Sequence, residues 1–114
     1  MPYLKIQTNV PVPDNEVPDL LRDTSKLIAT KLGKPESYVM IHLQAGQSML
    51  FAKSNDACAF VELKSLGLPE YEGKKLSDTI CGFLKETLRV DPARIYIEMS
   101  DHPSKLWGWN STTF

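Results

Sequence analysis

The residue with the clearest chemical potential is the proline that follows the first methionine, Pro2. Methionine aminopeptidases remove Met1 when the next residue is small or a proline, which leaves a free secondary amine held in a rigid ring. Burial and a neighbouring cation lower the pKa of such an amine and keep it neutral. The Met1-Pro2 start therefore indicates a general base if the fold places it in an apolar pocket beside a cation.

The size and charge of the chain narrow the classes of protein to which it can belong. Its 114 residues, 42% hydrophobic and 24% charged, are typical of a single domain spanning residues 1–114. The formal net charge of −1 predicts neither a nucleic-acid nor a membrane partner. No apolar run approaches the roughly 18 residues of a membrane span, and no signal-peptide pattern is present, so we expect a cytoplasmic protein.

The cysteines and histidines have neither metal-ligand nor redox-motif spacing. Cys58 and Cys81 lie in apolar surroundings and form no CxxC motif, which favours buried, reduced thiols over a disulfide bond. His42 lies in a strand-like segment and His102 in a predicted loop, which favours structural roles for both. We therefore expect no metal site.

Hydrophobic periodicity predicts four strands and two helices that could position Pro2. Gly33 and Pro35 predict the end of the first helix, and Met49–Phe51 is a candidate short strand within a long connection. The main strands are expected at Tyr3–Val10, Tyr38–Leu43, Ala57–Leu66 and Ile95–Met99, and the helices over Leu20–Leu32 and Leu76–Leu88.

The two halves of the chain repeat each other at a shift of 56 or 57 residues. Leu20 and Leu32 fall on Leu76 and Leu88, and Pro35 falls on Pro92. Each half is then a βαβ unit, so the predicted fold is α/β, a four-stranded mixed sheet with both helices on one face. The apolar runs Cys58–Val61 and Ile95–Ile97 predict that the other face is covered by a second copy of the chain.

Several motifs along the whole length resemble the macrophage migration inhibitory factor family of the tautomerase superfamily. The resemblance implies a homotrimer whose sheets face inward, with pockets at the subunit interfaces, and release from cells without a signal peptide. The segments that carry it are Met1-Pro2, Thr8–Pro11, Gly33–Pro35, Tyr38–His42, Ser65–Gly67, Cys81-Gly82, Pro92–Ile97 and Gly108–Thr112.

The resemblance also implies a reaction, keto–enol tautomerisation of phenylpyruvate-like or dopachrome-like compounds, with a small aromatic 2-oxo acid or enol as the substrate and no cofactor. Pro2 corresponds to the catalytic base and Lys34 to a lysine that lowers its pKa and pairs with the substrate carboxylate. The other implied substrate-binding residues are Ser65, Leu66, Tyr38, Phe114 and, at the mouth of the pocket, Trp107 or alternatively Trp109, with Tyr96 and Glu98 from the neighbouring subunit.

Each of these residues also has a structural interpretation. Lys34 follows a helix and could stabilise the last carbonyl groups of that helix, and Tyr96 could be a packing residue of a strand. Trp107 and Trp109 could pack at an edge. The full-length resemblance is what favours the catalytic interpretation.

The chain departs from the family pattern at four positions. Val61 replaces the second cysteine of a CxxC motif, which predicts no thiol–disulfide activity. Glu98 replaces a pocket asparagine, and its carboxylate could repel an acidic substrate, pair with Lys34 or act as a second acid/base group. Val12 and Gly46 replace an arginine and an aspartate that contact the receptor of the animal cytokine, which argues against receptor binding.

Two other functions compete with tautomerisation. The first is a cytokine-like protein-binding factor with a vestigial pocket. The second is another chemistry of the superfamily on a small acid, such as hydration, dehalogenation or decarboxylation. Those relatives pair the proline with pocket arginines, whereas the segment after Ser65 contains only Lys74 and Lys75, so this alternative ranks last.

Overall fold

The computed structural model describes all residues from Met1 to Phe114, and it contains four main strands, two helices and a small hairpin. Short 3₁₀ turns occupy Glu36–Tyr38, Glu70–Glu72, Pro92–Arg94 and Ser104–Leu106. The regular elements are β1 (Tyr3–Thr8), α1 (Val17–Leu32), β2 (Met40–Gln44), β3 (Ala59–Leu66), α2 (Gly73–Leu88), β4 (Ile95–His102), β5 (Gly108–Trp109) and β6 (Thr112–Thr113).

The main sheet has the strand order β2-β1-β3-β4. Strand β1 is parallel to β2 and antiparallel to β3, while β3 is parallel to β4. Each parallel pair is joined through one helix, so the predicted pair of βαβ units and the mixed four-stranded sheet are confirmed. In the register, Tyr3 at the start of β1 lies between Met40 of β2 and Lys64 of β3.

The predicted internal repeat extends to the ends of the helices. Both helices have 16 residues, and α2 begins and ends 56 positions after α1. Each is followed by a residue in the left-handed conformation, Gly33 with φ 62° and Arg89 with φ 60°. Glycine adopts this conformation without steric cost, whereas Arg89 adopts it despite its Cβ atom.

Both helices pack on the same face of the sheet, as predicted, and one hydrophobic cluster joins them to the strands. Strands β1 and β3 supply alternate side chains to this cluster, because neighbouring residues of a strand point to opposite faces. The central buried residues are Leu4, Ile6, Ile28, Val61, Leu63, Leu76, Ile80 and Leu84. Neither helix is long and apolar enough to cross a membrane.

Several predicted element boundaries were wrong. Strand β2 begins at Met40 instead of Tyr38, because Tyr38 and Val39 donate backbone hydrogen bonds to Pro35 and Glu36 in a 3₁₀ turn. Strand β3 begins at Ala59 instead of Ala57 and ends at Leu66 as predicted, whereas β4 begins at Ile95 as predicted and continues beyond Met99 to His102. Strand β1 ends at Thr8.

Two further segments differ from their predictions. Met49–Phe51 is not a strand, and only a bridge between Phe51 and Ser54 forms there. The hairpin of β5 and β6 was not predicted, because its turn residues Asn110 and Ser111 are non-glycine residues with positive φ values.

The expectation that the uncovered face is apolar was also wrong. Ala59, Val61 and Ile95 of the apolar runs point towards the helices and are buried. The outward side chains instead form mixed rows across the strands, one of them being His42, Lys5, Glu62 and Glu98. Only Phe60 and Tyr96 give this face a large apolar contribution at the β4 side.

Replacing Leu84 with alanine should lower the free energy of unfolding by about 2–5 kcal/mol, because the side chain is fully buried between α2 and the sheet. Lys85→Ala, on the exposed side of the same helical turn, is the matched control and should change stability by less than about 0.5 kcal/mol. Urea denaturation at one fixed protein concentration measures both values. Equal stability of the two variants would contradict the placement of α2.

Candidate active site

Pro2 lies at the base of the sheet, where β1 begins. Its side chain is fully buried, and its carbonyl oxygen accepts a hydrogen bond of 3.0 Å from the Met40 N–H as the ladder of β1 and β2 starts. Pro2 and Met1 line a cavity of about 350 Å³, hereafter the first cavity. The ring nitrogen is therefore held by the fold instead of lying on a mobile terminus.

The wall of the first cavity is aromatic. Tyr38 contacts Trp109 edge-on, with ring centroids 5.4 Å apart, and contacts Phe114 in the same manner at 5.5 Å. Trp109 and Phe114 stack on each other. The C-terminal hairpin places these rings, since the Phe114 N–H donates to the Trp107 carbonyl oxygen at 3.3 Å. An aromatic ring of a ligand could stack on these side chains or contact them edge-on.

A polar recess of about 120 Å³ contains Lys34, which follows the left-handed Gly33 at the end of α1. The Lys34 N–H donates to the Ala29 carbonyl oxygen at 3.0 Å, so the helix end determines where the lysine begins. Ser65, with a buried hydroxyl group, lines the same recess. An ammonium and a hydroxyl group in a small recess could bind a carboxylate.

The first cavity and the recess are linked electrostatically through the N-terminus. The Met1 amine donates a hydrogen bond of 3.1 Å to the Tyr38 carbonyl oxygen. Burial, and secondarily the positive charge of Lys34, lower the pKa of this amine below its usual value of 8.0. The charge of Lys34 thus acts on the Met1 amine, which is one residue from the Pro2 nitrogen.

Three of the predicted site residues line neither the first cavity nor the recess within one chain. Leu66 is buried at the end of β3, and Tyr96 and Glu98 lie on the uncovered face of β4. Tyr96 shares a row with Gln7, four residues along β1 from Tyr3, which is a separation of roughly 13 Å. A single chain therefore does not bring Tyr96 to Pro2.

Tyr96 borders a second cavity at the corner of the other βαβ unit. This second cavity has a volume of about 480 Å³ and an entirely hydrophobic lining, formed by Met49, Leu50, Phe51, Ala52, Cys58, Ala59, Phe60 and Tyr96. Leu50 and Tyr96 are strongly exposed, at 75% and 62%. It presents apolar surface to solvent and contains no charged group.

Sequence reasoning missed several residues that surround the site. Lys31 and Glu72 line the recess with Lys34, and Tyr3 and Met40 line the first cavity. The spacing of Lys31 and Lys34 could have revealed the first of these, because positions i and i+3 lie on one side of a helix end. Glu72 is the last residue of a 3₁₀ turn whose course the sequence does not determine.

The chain is similar over its whole length to proteins of one family. The family model "Macrophage migration inhibitory factor (MIF)" matches residues 1–114. The macrophage migration inhibitory factor of Meriones unguiculatus is 37% identical to the chain, and the homolog of Brugia malayi is 38% identical; each alignment covers 100% of this chain and 99% of the relative. The solved homologue from Prochlorococcus marinus has a TM-score of 0.91 at 39% identity and covers 98% of both chains.

Replacing Lys34 with glutamine should raise the pKa of the Met1 amine towards 8.0 without restoring it fully, because burial remains after the charge is removed. The amine titration can be followed by NMR in chains that retain Met1. Lys31→Gln is the matched control, since Lys31 lines the same recess but does not act on this pKa.

The lowered pKa of the Met1 amine also determines whether its contribution to the free energy of unfolding rises or falls with pH. Between the lowered pKa and 8.0 the unfolded chain binds more protons at this amine than the folded chain, so its contribution to stability rises with pH. A pKa at or above 8.0 in the folded chain would contradict the assignment.

Proposed function

Because the chain belongs to the macrophage migration inhibitory factor family, we propose that it is a keto–enol tautomerase of phenylpyruvate-like or dopachrome-like compounds. Removal of Met1 would make the Pro2 nitrogen a secondary amine, and this nitrogen is the proposed general base. The observation that carries the proposal is the burial of Pro2 in an aromatic cavity, beside a Met1 amine whose pKa is lowered by burial and, secondarily, by the charge of Lys34.

The proposed reaction moves one proton and changes no oxidation state. The neutral Pro2 nitrogen takes a proton from the carbon next to the carbonyl group of a 2-oxo acid. The electron pair of the C–H bond forms the C=C bond, and the π pair of the C=O bond moves to the oxygen. The enolate oxygen then takes the proton from the protonated Pro2 amine to give the enol, and the reverse sequence gives the keto form. A base must be unprotonated to start the reaction, and the burial and the Lys34 charge that lower the pKa of the Met1 amine would act in the same direction on the Pro2 amine.

The two parts of the site suit the two ends of an aryl 2-oxo acid. The aromatic ring would lie against Tyr38, Trp109 and Phe114 in the first cavity. The carboxylate would pair with Lys34 in the recess, where Ser65 supplies a hydroxyl group. Trp107 lines the first cavity, and Leu66 adjoins Ser65 at the recess.

We propose a homotrimer in which Tyr96 acts from the neighbouring copy. Within one chain Tyr96 is remote from Pro2, yet its hydroxyl is of the type that can donate to a developing enolate oxygen. The second cavity gives a physical reason for association, because its apolar lining is exposed in the single chain.

We propose that this enzyme acts in the cytoplasm.

Glu98 distinguishes the site of this chain from the family pattern. It is exposed, lies two residues after Tyr96 and projects from the same face of β4. If Tyr96 enters the neighbouring site, the carboxylate of Glu98 lies near that site and disfavours a second negative charge on the substrate. No contact in the structure favours receptor binding or another chemistry, so neither is proposed.

Replacing Pro2 with glycine should lower kcat/KM for phenylpyruvate by about 100-fold, because a flexible primary amine replaces a fixed secondary amine. For the wild type, kcat/KM should fall as the pH falls through the pKa of the Pro2 amine, and Lys34→Gln should move that fall to higher pH. The enol-to-keto conversion, followed by ultraviolet absorbance, measures each profile.

Mass spectrometry provides the control for this experiment, since only chains without Met1 carry the proposed base. A preparation that retains Met1 should be inactive, because the Pro2 nitrogen is then an amide. Full activity of Pro2→Gly would refute the assignment of the base.

Sedimentation equilibrium at micromolar concentration should give three times the 12.8 kDa mass of one chain. Leu50→Glu should lower both this mass and the activity, because it introduces a charge into the exposed apolar lining of the second cavity. Tyr71→Glu is the matched control, an equally exposed apolar position outside both cavities. A wild-type mass of one chain would contradict the shared site.

A further inference from the structure

The guanidinium group of Arg94 has no acidic partner and is satisfied entirely by backbone carbonyl groups. Its Nε donates to the carbonyl oxygen of Ala57 at 3.0 Å, and Nη1 donates to that of Phe51 at 3.2 Å. Nη2 donates to the carbonyl oxygens of Ser54 and Asp56, each at 3.2 Å. Arg94 therefore holds both ends of the segment from residue 51 to residue 57, hereafter the 51–57 loop.

The 51–57 loop needs such support because its turn is strained. Phe51 and Ser54 exchange backbone hydrogen bonds of 2.9 and 3.0 Å around the two residues at the tip. These residues, Ala52 and Lys53, have φ values of 50° and 66°, in the left-handed region that favours glycine. The bonds from Arg94 reach the carbonyl oxygens of Phe51 and Ser54, which flank this turn.

The loop carries a ring that contacts Tyr96. The centroids of Phe51 and Tyr96 are 4.7 Å apart with the planes inclined at 35°. The guanidinium carbon of Arg94 lies 5.3 Å from the Phe51 centroid, within the range of a cation–π interaction. Arg94 and Tyr96 lie two positions apart in the chain, and the Phe51 ring contacts both.

We propose that Arg94 is a positioning residue for Tyr96, acting through the 51–57 loop and the ring of Phe51. Tyr96 is 62% exposed, so strand β4 fixes its backbone but does not by itself fix the direction of its hydroxyl group. That direction depends on the side chains that contact the Tyr96 ring. Phe51 is the aromatic side chain that supplies such a contact. This inference rests on the proposed function, in which the Tyr96 hydroxyl serves the site of the neighbouring copy.

A double-mutant cycle tests this inference. Arg94→Lys keeps the charge but loses the planar fork of donors, and it should lower kcat by about 10- to 100-fold with little change in KM. Tyr96→Phe should lower kcat by removing the hydroxyl group. The double variant should be no more than about twofold slower than Tyr96→Phe alone, since Arg94 acts only through that hydroxyl group.

Phe51→Leu provides a second route, because it removes the ring contact and leaves the hydrogen bonds of Arg94 in place. Phe51→Leu should lower kcat as Arg94→Lys does. In a chain that already carries Tyr96→Phe, it should cause no further loss of kcat. Arg22→Lys is the control, since Arg22 is an exposed arginine that pairs with Asp19 and Asp23 on α1, and its kcat should equal that of the wild type.

The outcomes separate the inference from the proposed function. Multiplicative effects in both cycles, or an unchanged kcat in Phe51→Leu, would show that Arg94 has only a structural role. If Arg94→Lys fails to assemble, as judged by its sedimentation mass, the Phe51→Leu cycle alone decides the question. A wild-type enzyme without turnover of any aryl 2-oxo acid would instead reject the proposed function.

Discussion

The proposed chemistry depends on one constraint, that an amine at the N-terminus must lose its proton readily inside the fold. Two features lower the pKa of the Met1 amine, burial at the start of β1 and the positive charge of Lys34. The first requires the ladder between Pro2 and Met40, and the second requires α1 to end where it does. The left-handed Gly33 and the hydrogen bond from the Lys34 N–H to the Ala29 carbonyl oxygen therefore support the proposed base together with the proline itself.

The two βαβ units of the internal repeat share one architecture but differ in the residues that follow their helices. The shift of 56 residues that superimposes the helices places Gly33 on Arg89 and Lys34 on Val90. A buried valine therefore follows α2 at the position where a lysine follows α1. The C-terminal hairpin closes the wall of the first cavity, and the 51–57 loop borders the second. The two βαβ units therefore share an arrangement of helix and strands but differ in the residue that follows the helix stop, Lys34 in one and Val90 in the other.

The sequence predicts the parts of the fold that depend on local periodicity. Leu20 to Leu32, Leu76 to Leu88 and the stop at Gly33 identify both helices, and Tyr3 to Thr8 identifies the first strand. It fails where a side chain or a tertiary contact decides the backbone. Non-glycine residues with positive φ at Ala52 and Asn110 form turns that propensity disfavours.

The sequence also predicted only part of the candidate site. The family resemblance implied the aromatic residues Tyr38 and Phe114 and the polar residues Lys34 and Ser65. The structure places the aromatic residues, with Trp109, at one cavity and the polar residues in a separate recess. The exposed face was misjudged because a run such as Ile95–Ile97 does not say which side of a strand faces the helices. Lys31 was missed because a surface lysine is usually solvated.

The division of the proposed site between two copies follows from the opposite needs of the Tyr96 ring and its hydroxyl group. The ring lies in an apolar lining that water disfavours, and burying an exposed leucine such as Leu50 beside it is worth about 1.5–3 kcal/mol. The hydroxyl group needs a polar partner. A boundary between an interface and a polar cavity satisfies both at once. In the proposed trimer, association and the delivery of the hydroxyl group therefore depend on the same surface, and the ring of Phe51 contacts Tyr96 there.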